Sequence, residues 1–337
     1  MNTTKEGLMK DRLLAWPTRL LLMAALVAGV VALGASGGAM ARTAKCGSLT
    51  MDENAWAGAT ANVYVVKYVL EKNFGCKVNI AKLPESTPLF QAVTDGKVDV
   101  VLEDWGNLHL KINQHYVTKE KSIVDLGSNG AVGHIGWYIP TYLMKQHPEF
   151  KTWQGLKGKE SLFKSPESGS QGMFLGGDPS YVQKDVQLIK ELGLNFKFVS
   201  AGAEPAQVSR WTQAYKQKKP ILFYWYTPQY LNGAYQLSEV QLPKRFKGCV
   251  DSYSPKLGSD WKQYKCAYEQ TIIGKVVSAK FATSGSPAFS VIKRFRWTND
   301  DQNYVANQIA GKHVDPAKAA EQWVKANQAK VNKWLGK

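Results

Sequence analysis

The chain has 337 residues, a formal net charge of +16 and 44% hydrophobic residues. That length allows two lobes, each with its own core. The basic excess is spread along the chain without a dense arginine or lysine block, which reads as a solvated surface and argues against a nucleic-acid partner.

Lys5, Lys10, Arg12 and Arg19 lie in a basic N-terminal region. The apolar run Leu20 to Ala35 follows, too short for a comfortable membrane span. Ala39-Met40-Ala41 then has the small-x-small form of a cleavage site, so residues 1–41 are expected to be an export signal. An uncleaved anchor is the alternative, and Met9 is a second candidate start. Lys45 directly before Cys46 argues against a lipoprotein signal, and a periplasmic location is expected. Four cysteines in an exported chain suggest two disulfides. Three pairings are open. Cys46 and Cys76 open the first and second strands, and Cys249 and Cys266 flank a loop rich in Pro, Gly and Ser. The expected pairs are Cys46–Cys76 and Cys249–Cys266.

Strands and helices alternate from here, which predicts an α/β fold with a largely parallel sheet. Gly47–Met51 reads as a strand. Ala59–Asn73 reads as a helix with Val63, Val66, Val69 and Leu70 on its buried side, stopped by Gly75. Val78–Leu83 is the next strand, Pro88–Thr94 a short helix, and Val98–Leu102 a strand that leads to Trp105. Gly127–Gly136, with four glycines, looks like a crossing between lobes. Tyr138–Gln146 begins a second α/β unit ended by His147-Pro148. A glycine-rich turn at Gly169–Gly177 leads to Asp178-Pro179-Ser180, which should start a helix Tyr181–Leu192. Phe196–Ser200 is a strand, Glu204–Lys216 a helix and Ile221–Tyr226 a strand. Thr271–Val277 returns to the first lobe. Three helices should close the chain, the last capped by Asp315 with Pro316 at its first position. Ala320, Trp323, Val324, Val331 and Trp334 form its buried stripe.

Two apolar runs end in aromatic clusters: Asp99-Val-Val-Leu-Glu-Asp-Trp105, and Pro220-Ile-Leu-Phe-Tyr-Trp-Tyr-Thr-Pro-Gln229. Each reads as a buried strand, and open α/β sheets bind ligands beyond the carboxyl ends of their strands. Aromatic rings there, with Glu103 and Asp104 nearby, suggest a cage for a small organic cation. The competing reading is that these rings are core. Alternation sends Trp225 and Tyr226 to opposite faces, so one of them is expected to line the cage, with Tyr226 favoured. Trp137, at the start of the second unit, is a further candidate wall or inter-lobe core. The five histidines are scattered, His109 and His134 read as structural or surface, and there is no Cys-x-x-Cys or His-x-x-x-His. No metal site and no cofactor are expected. Neither a Gly-x-Ser-x-Gly elbow nor a Walker-type loop is present, so the chain is not expected to be an enzyme.

In this order, the residues resemble the substrate-binding proteins of ABC importers for glycine betaine, proline betaine, choline and carnitine. The features that carry the resemblance are Trp56 before a helix ending in Leu-Glu-Lys-Asn-Phe-Gly75, then Gly96-Lys-Val-Asp-Val-Val-Leu-Glu-Asp-Trp105 and Gly136-Trp-Tyr-Ile-Pro140. Asp178-Pro179 after a glycine-rich loop, and Thr227-Pro228 after a strand, complete the set. The similarity covers nearly the whole mature chain. It implies a periplasmic-binding-protein-like fold, two α/β lobes joined by a hinge with the ligand in the cleft between them. The implied lobes are residues 42–131 with 271–337, and 132–270. It also implies a monomer that binds a quaternary ammonium compound in an aromatic box and delivers it to an ABC permease in the membrane, with glycine betaine the leading ligand. Trp105 carries over as a box residue, Trp56 as a ligand-contacting tryptophan, and Asp104 remains available to the ligand. Two departures stand out. Thr227-Pro228 puts Tyr226 in the place of a family tryptophan, and Gln229 in that of a histidine that helps hold a ligand carboxylate. Ala57 and Gly58 stand where choline-type members carry an aspartate. The alternative function is a carbohydrate-binding or hydrolytic protein with an aromatic cleft.

Overall fold

The computed structural model describes residues 46–108, 110–181, 184–251 and 264–337. The expected signal segment, its cleavage site and His109 lie outside these residues, as does most of the loop between Cys249 and Cys266. Among the described residues no helix is long and apolar enough to cross a membrane.

Nine strands form one mixed sheet. They are β1 (Ser48–Asp52), β2 (Lys77–Ala81), β3 (Val100–Asp104), β4 (Ile123–Pro140), β5 (Gly172–Gly176), β6 (Phe196–Ser200), β7 (Leu222–Thr227), β8 (Leu237–Val240) and β9 (Thr271–Ser278). The order is β2-β1-β3-β9-β4-β7-β5-β6, with β8 pairing to β4. β1 runs parallel to β2 and β3, and β5 runs parallel to β6 and β7. The expectation of a largely parallel sheet is corrected at the centre, where β9 runs antiparallel to β3 and β4, and β4 antiparallel to β7. The cause is β9, which returns from the second half and is inserted beside β3.

The glycine-rich crossing is strand rather than loop. β4 pairs with β9 through residues 123–133 and with β7 and β8 through 134–140, so a single strand serves both halves of the sheet. Its register shifts between Asp125 and Ser128 and again between Ser128 and Val132, which bends the strand where it changes partners.

The long helix Ala57–Phe74, here α1, buries Val63, Val66, Val69 and Leu70 as its spacing predicts. Gly75 ends it in the left-handed region, at φ 62°, where a side chain would be strained. Other boundaries differ from the sequence reading. The helix expected from Tyr181 begins at Asp185, after Asp178 has used its side chain on the Ser180 N–H in a local turn. Asp315 caps the helix Pro316–Ala326, and a further helix, Gln328–Leu335, follows it. The expected stripe is therefore split between two helices, and all five residues are buried. Five α-helices, not three, follow β9.

Both expected disulfides are present, with Cα–Cα separations of 4.9 Å for Cys46–Cys76 and 6.3 Å for Cys249–Cys266. The first joins the starts of neighbouring strands β1 and β2.

Trp334 shows what holds the C-terminal helices. It is 2% exposed, lies 4.9 Å from the Phe295 ring and 5.7 Å from the Trp323 ring, and donates its indole N–H to the Arg296 carbonyl at 3.0 Å. Trp334→Ala is expected to cost about 3–5 kcal/mol of stability by leaving a cavity. Denaturant unfolding measures this, and a cost below about 1 kcal/mol would contradict the packing described.

Candidate functional site

Two sets of three parallel strands, β1–β3 and β5–β7, run in opposite directions on either side of β9 and β4, so their carboxyl ends face one another, and each strand delivers a side chain beyond its carboxyl end or from its last turn of chain. β1 leads to Trp56, β2 to Glu85, β3 to Trp105, β5 to Tyr181 and β6 to Glu204, while β7 carries Tyr224 and Tyr226. Trp56, Glu85, Trp105, Leu108, Ile135, Tyr181, Tyr224 and Tyr226 line a small, partly open cavity of about 30 Å³. A larger cleft adjoins it and shares Trp56 and Tyr181, with Glu53, Lys82, Asp178 and Glu204 among its other walls.

The rings are fixed by hydrogen bonds and by each other. Trp56 meets Tyr181 edge-to-face at 5.7 Å, and Trp105 meets Tyr226 edge-to-face at 5.9 Å. One buried carboxylate anchors both indoles: Glu103 Oε1 accepts the Trp56 N–H at 2.8 Å and the Trp105 N–H at 3.3 Å. Its Oε2 accepts from Asn62 at 2.7 Å and Gln302 at 3.2 Å. Two glycines make room for this arrangement. A Cβ at Gly133 would meet the Trp105 ring at 2.4 Å, and one at Gly58 would meet the Gln302 amide nitrogen at 2.3 Å. Glu85 accepts the Trp105 backbone N–H at 2.8 Å. Glu204 accepts the Ala57 N–H at 3.0 Å at the start of α1, and its other oxygen accepts the Tyr226 hydroxyl. The Tyr181 hydroxyl donates to the Ala55 carbonyl at 3.1 Å and accepts the Glu204 N–H at 3.2 Å.

Burial sets the electrostatics. It pushes Glu103 up to about 8, against the pull of its indole donors, with Glu85 and Glu204 adding repulsion. It pushes Glu204 up to about 7, opposed by the Ala57 N–H and the Gln229 amide. Asp52, at the end of β1, is pushed up to about 7 by burial, and the charges of Glu85 and Glu53 add to that. Tyr224 is raised by burial and by neighbouring acids. Among the described residues, no lysine, arginine or histidine lines the inner cavity.

Of the residues expected at the site, Trp56, Trp105 and Tyr226 come together around the cavity, and four do not line it. Trp225 is corrected: alternation along β7 points it to the opposite face, against Trp211 at 5.0 Å, with its N–H on Asn232 at 2.7 Å. Trp137 is core, fully buried against Phe174 at 4.8 Å and donating to Asp185 at 2.6 Å. Asp104 is buried and turned away from Glu103, toward Gly106. Gln229 uses its amide oxygen to cap the short turn Tyr230–Gly233 through the Leu231 N–H at 2.7 Å. Sequence reasoning missed Tyr181, Tyr224, Glu85 and Glu204. The alternation that selects Tyr226 also selects Tyr224, two residues earlier on the same face. The others sit just past strand ends, at no recognisable motif.

The mixed α/β sheet with helices, and a cleft at its strand ends, is the fold of the periplasmic binding proteins. Residues 47–326 match the family described as the substrate binding domain of ABC-type glycine betaine transport system, OpuAC, and the chain belongs to that family. A curated relative, the glycine betaine/carnitine transport binding protein GbuC of Listeria monocytogenes, is 26% identical over 129 residues. That match spans 38% of this chain and 36% of the relative. Among solved structures, a choline binding protein of an ABC transporter in complex with choline has TM-score 0.68 at 18% identity, over 86% of this chain and 92% of that one. The lactococcal OpuAC in its closed-liganded conformation with glycine betaine has TM-score 0.62 at 20% identity, over 86% and 99%. Both share the fold.

The buried acids predict a pH dependence. Glu103, Glu204, Asp52 and Asp185 all have folded values raised above their unfolded ones. The folded state therefore holds protons that the unfolded state has released, and stability falls as pH rises through the interval between the two values. His134, raised by its bond to Glu239, has the same sign. The ligand-free protein is expected to lose at least about 1 kcal/mol between about pH 5.5 and about pH 7.5. Urea unfolding at the two pH values tests this, and constant or rising stability would show that these groups titrate normally.

Proposed function

We propose that the protein is an exported, monomeric solute-binding protein. It captures a quaternary ammonium compound of the glycine betaine, choline, proline betaine and carnitine group and delivers it to an ABC permease. Residues 42–131 with 271–337 form one lobe and 132–270 the other, and the lobes close on the ligand. The carrying observation is the pair of indoles held by one buried carboxylate, facing tyrosines on the opposite wall. A quaternary ammonium has no N–H to donate, so acceptors alone gain little from it. Ring faces attract it by about 0.5–2 kcal/mol each. The Glu103 carboxyl group, hydrogen-bonded to both indoles, holds the two rings in place at the cavity. Family membership and the names of the related proteins support the same class of ligand and the same kind of partner.

Trp105→Ala is expected to reduce affinity for the tightest-binding compound of that group by about 30- to 150-fold, or about 2–3 kcal/mol, from lost ring attraction and burial. Trp334→Ala should leave the folded protein's affinity nearly unchanged. Calorimetric titration of both variants decides. Normal binding by Trp105→Ala would remove the aromatic box from the account.

A further inference from the structure

We propose that Glu204 makes this site selective for quaternary ammonium alcohols, cations that carry a hydroxyl and no carboxylate, over carboxylated betaines. The proposal rests on the reading of the cavity as a cation box. Its basis is what already occupies the places where a ligand carboxylate would be held. The N-terminus of α1 opens beside the cavity, and free N–H groups in a first turn are natural anion holders. Here the Ala57 N–H is taken by Glu204, at 3.0 Å. The protein supplies that carboxylate from its own chain, 147 residues away.

Glu204 is also well placed for a ligand's polar end. It lines the outer cleft together with Trp56 and Tyr181, and these two line the inner cavity as well. Its second oxygen receives the hydroxyl of Tyr226, one wall of the box. A trimethylammonium group seated among the rings would therefore point its two-carbon arm at Glu204, which is 3% exposed.

Among the described residues, the charged groups at and directly behind the inner cavity are acidic. Glu85 lines the cavity and Glu103 lies behind the indoles. The basic side chain on the outer cleft, Lys82, is 74% exposed and lies 3.6 Å from Glu53. A betaine brings a carboxylate into this acidic surround, with the Ala57 N–H already engaged and no basic side chain among the described residues of the inner cavity. An alcohol brings one positive charge and a hydroxyl donor, and Glu204 accepts from it. Burial raises Glu204 to about 7 and Glu103 to about 8, and a bound monocation relieves that strain by favouring both charged forms.

The test is calorimetric titration of the mature protein and of Glu204→Gln with choline and with glycine betaine, at one pH near 8. The wild type is expected to bind choline at least tenfold tighter than glycine betaine. Glu204→Gln is expected to lose at least tenfold in choline affinity and to hold or gain affinity for glycine betaine, because its amide can donate to a carboxylate. Equal or tighter binding of glycine betaine by the wild type overturns the proposal and leaves the box intact, provided Trp105→Ala still abolishes that binding. An unchanged affinity ratio in a folded Glu204→Gln also overturns it. Binding of neither compound overturns both the proposal and the box. If Glu204→Gln does not fold, the wild-type ratio decides alone.

Discussion

Glu103 is the point at which fold and site become one structure. Its carboxylate takes four N–H donors from three separate parts of the chain: Trp56 and Asn62 at α1, Trp105 after β3, and Gln302 in the helix Asn299–Ala306. A buried carboxylate is costly unless its lone pairs are used, and here they are. The same bonds fix the planes of two indoles that face the cavity. Removing the carboxylate would free two rings, an asparagine and a glutamine together, so the ring geometry depends on a group that the ligand itself need not touch. The glycines at 58 and 133 are part of the same constraint, because a methyl at either would collide with members of this cluster.

The second half of the sheet meets this cluster through a different carboxylate. Glu204 reaches the start of α1 from the helix that follows β6, and it holds the Tyr226 hydroxyl. The first half thus supplies indoles backed by Glu103, and the second supplies phenols backed by Glu204. Neither half lines the cavity alone. Joining them is left to β4, which pairs with β9 on one side and with β7 and β8 on the other. Because the two parallel sets run in opposite directions on either side of this bridge, their carboxyl ends face each other and six strand ends converge on one cavity.

Much of this was legible in the sequence where local rules decide. Alternation along β7 separates Tyr226 from Trp225, and the cysteines at the starts of β1 and β2 predict their own pairing. The strand that delivers Trp105 was visible as an apolar run, displaced by two residues. The failures have physical causes. Trp137 and Trp225 are on buried strands and look like site residues in composition, and only the packed structure shows that Phe174 and Trp211 cover them. The antiparallel centre of the sheet depends on β9, whose partner β3 lies far away in sequence. Glu85 and Glu204 were invisible because an acidic residue just past a strand normally reads as a solvated loop or a helix start.

The sequence reading looked for an acidic group next to Trp56 and found Ala57 and Gly58. The structure places an acid there after all, through space, with Glu204 bound to the Ala57 N–H. Gly58 leaves space for Gln302 and Glu103 behind the helix, and the Ala57 N–H is bound by Glu204. An acid on α1 itself would belong to the first half of the sheet, whereas Glu204 reaches the start of α1 beside Trp56 from the second half. The carboxyl group beside the first indole and the ring of aromatics are both completed across the two halves, so neither is a property of one half alone.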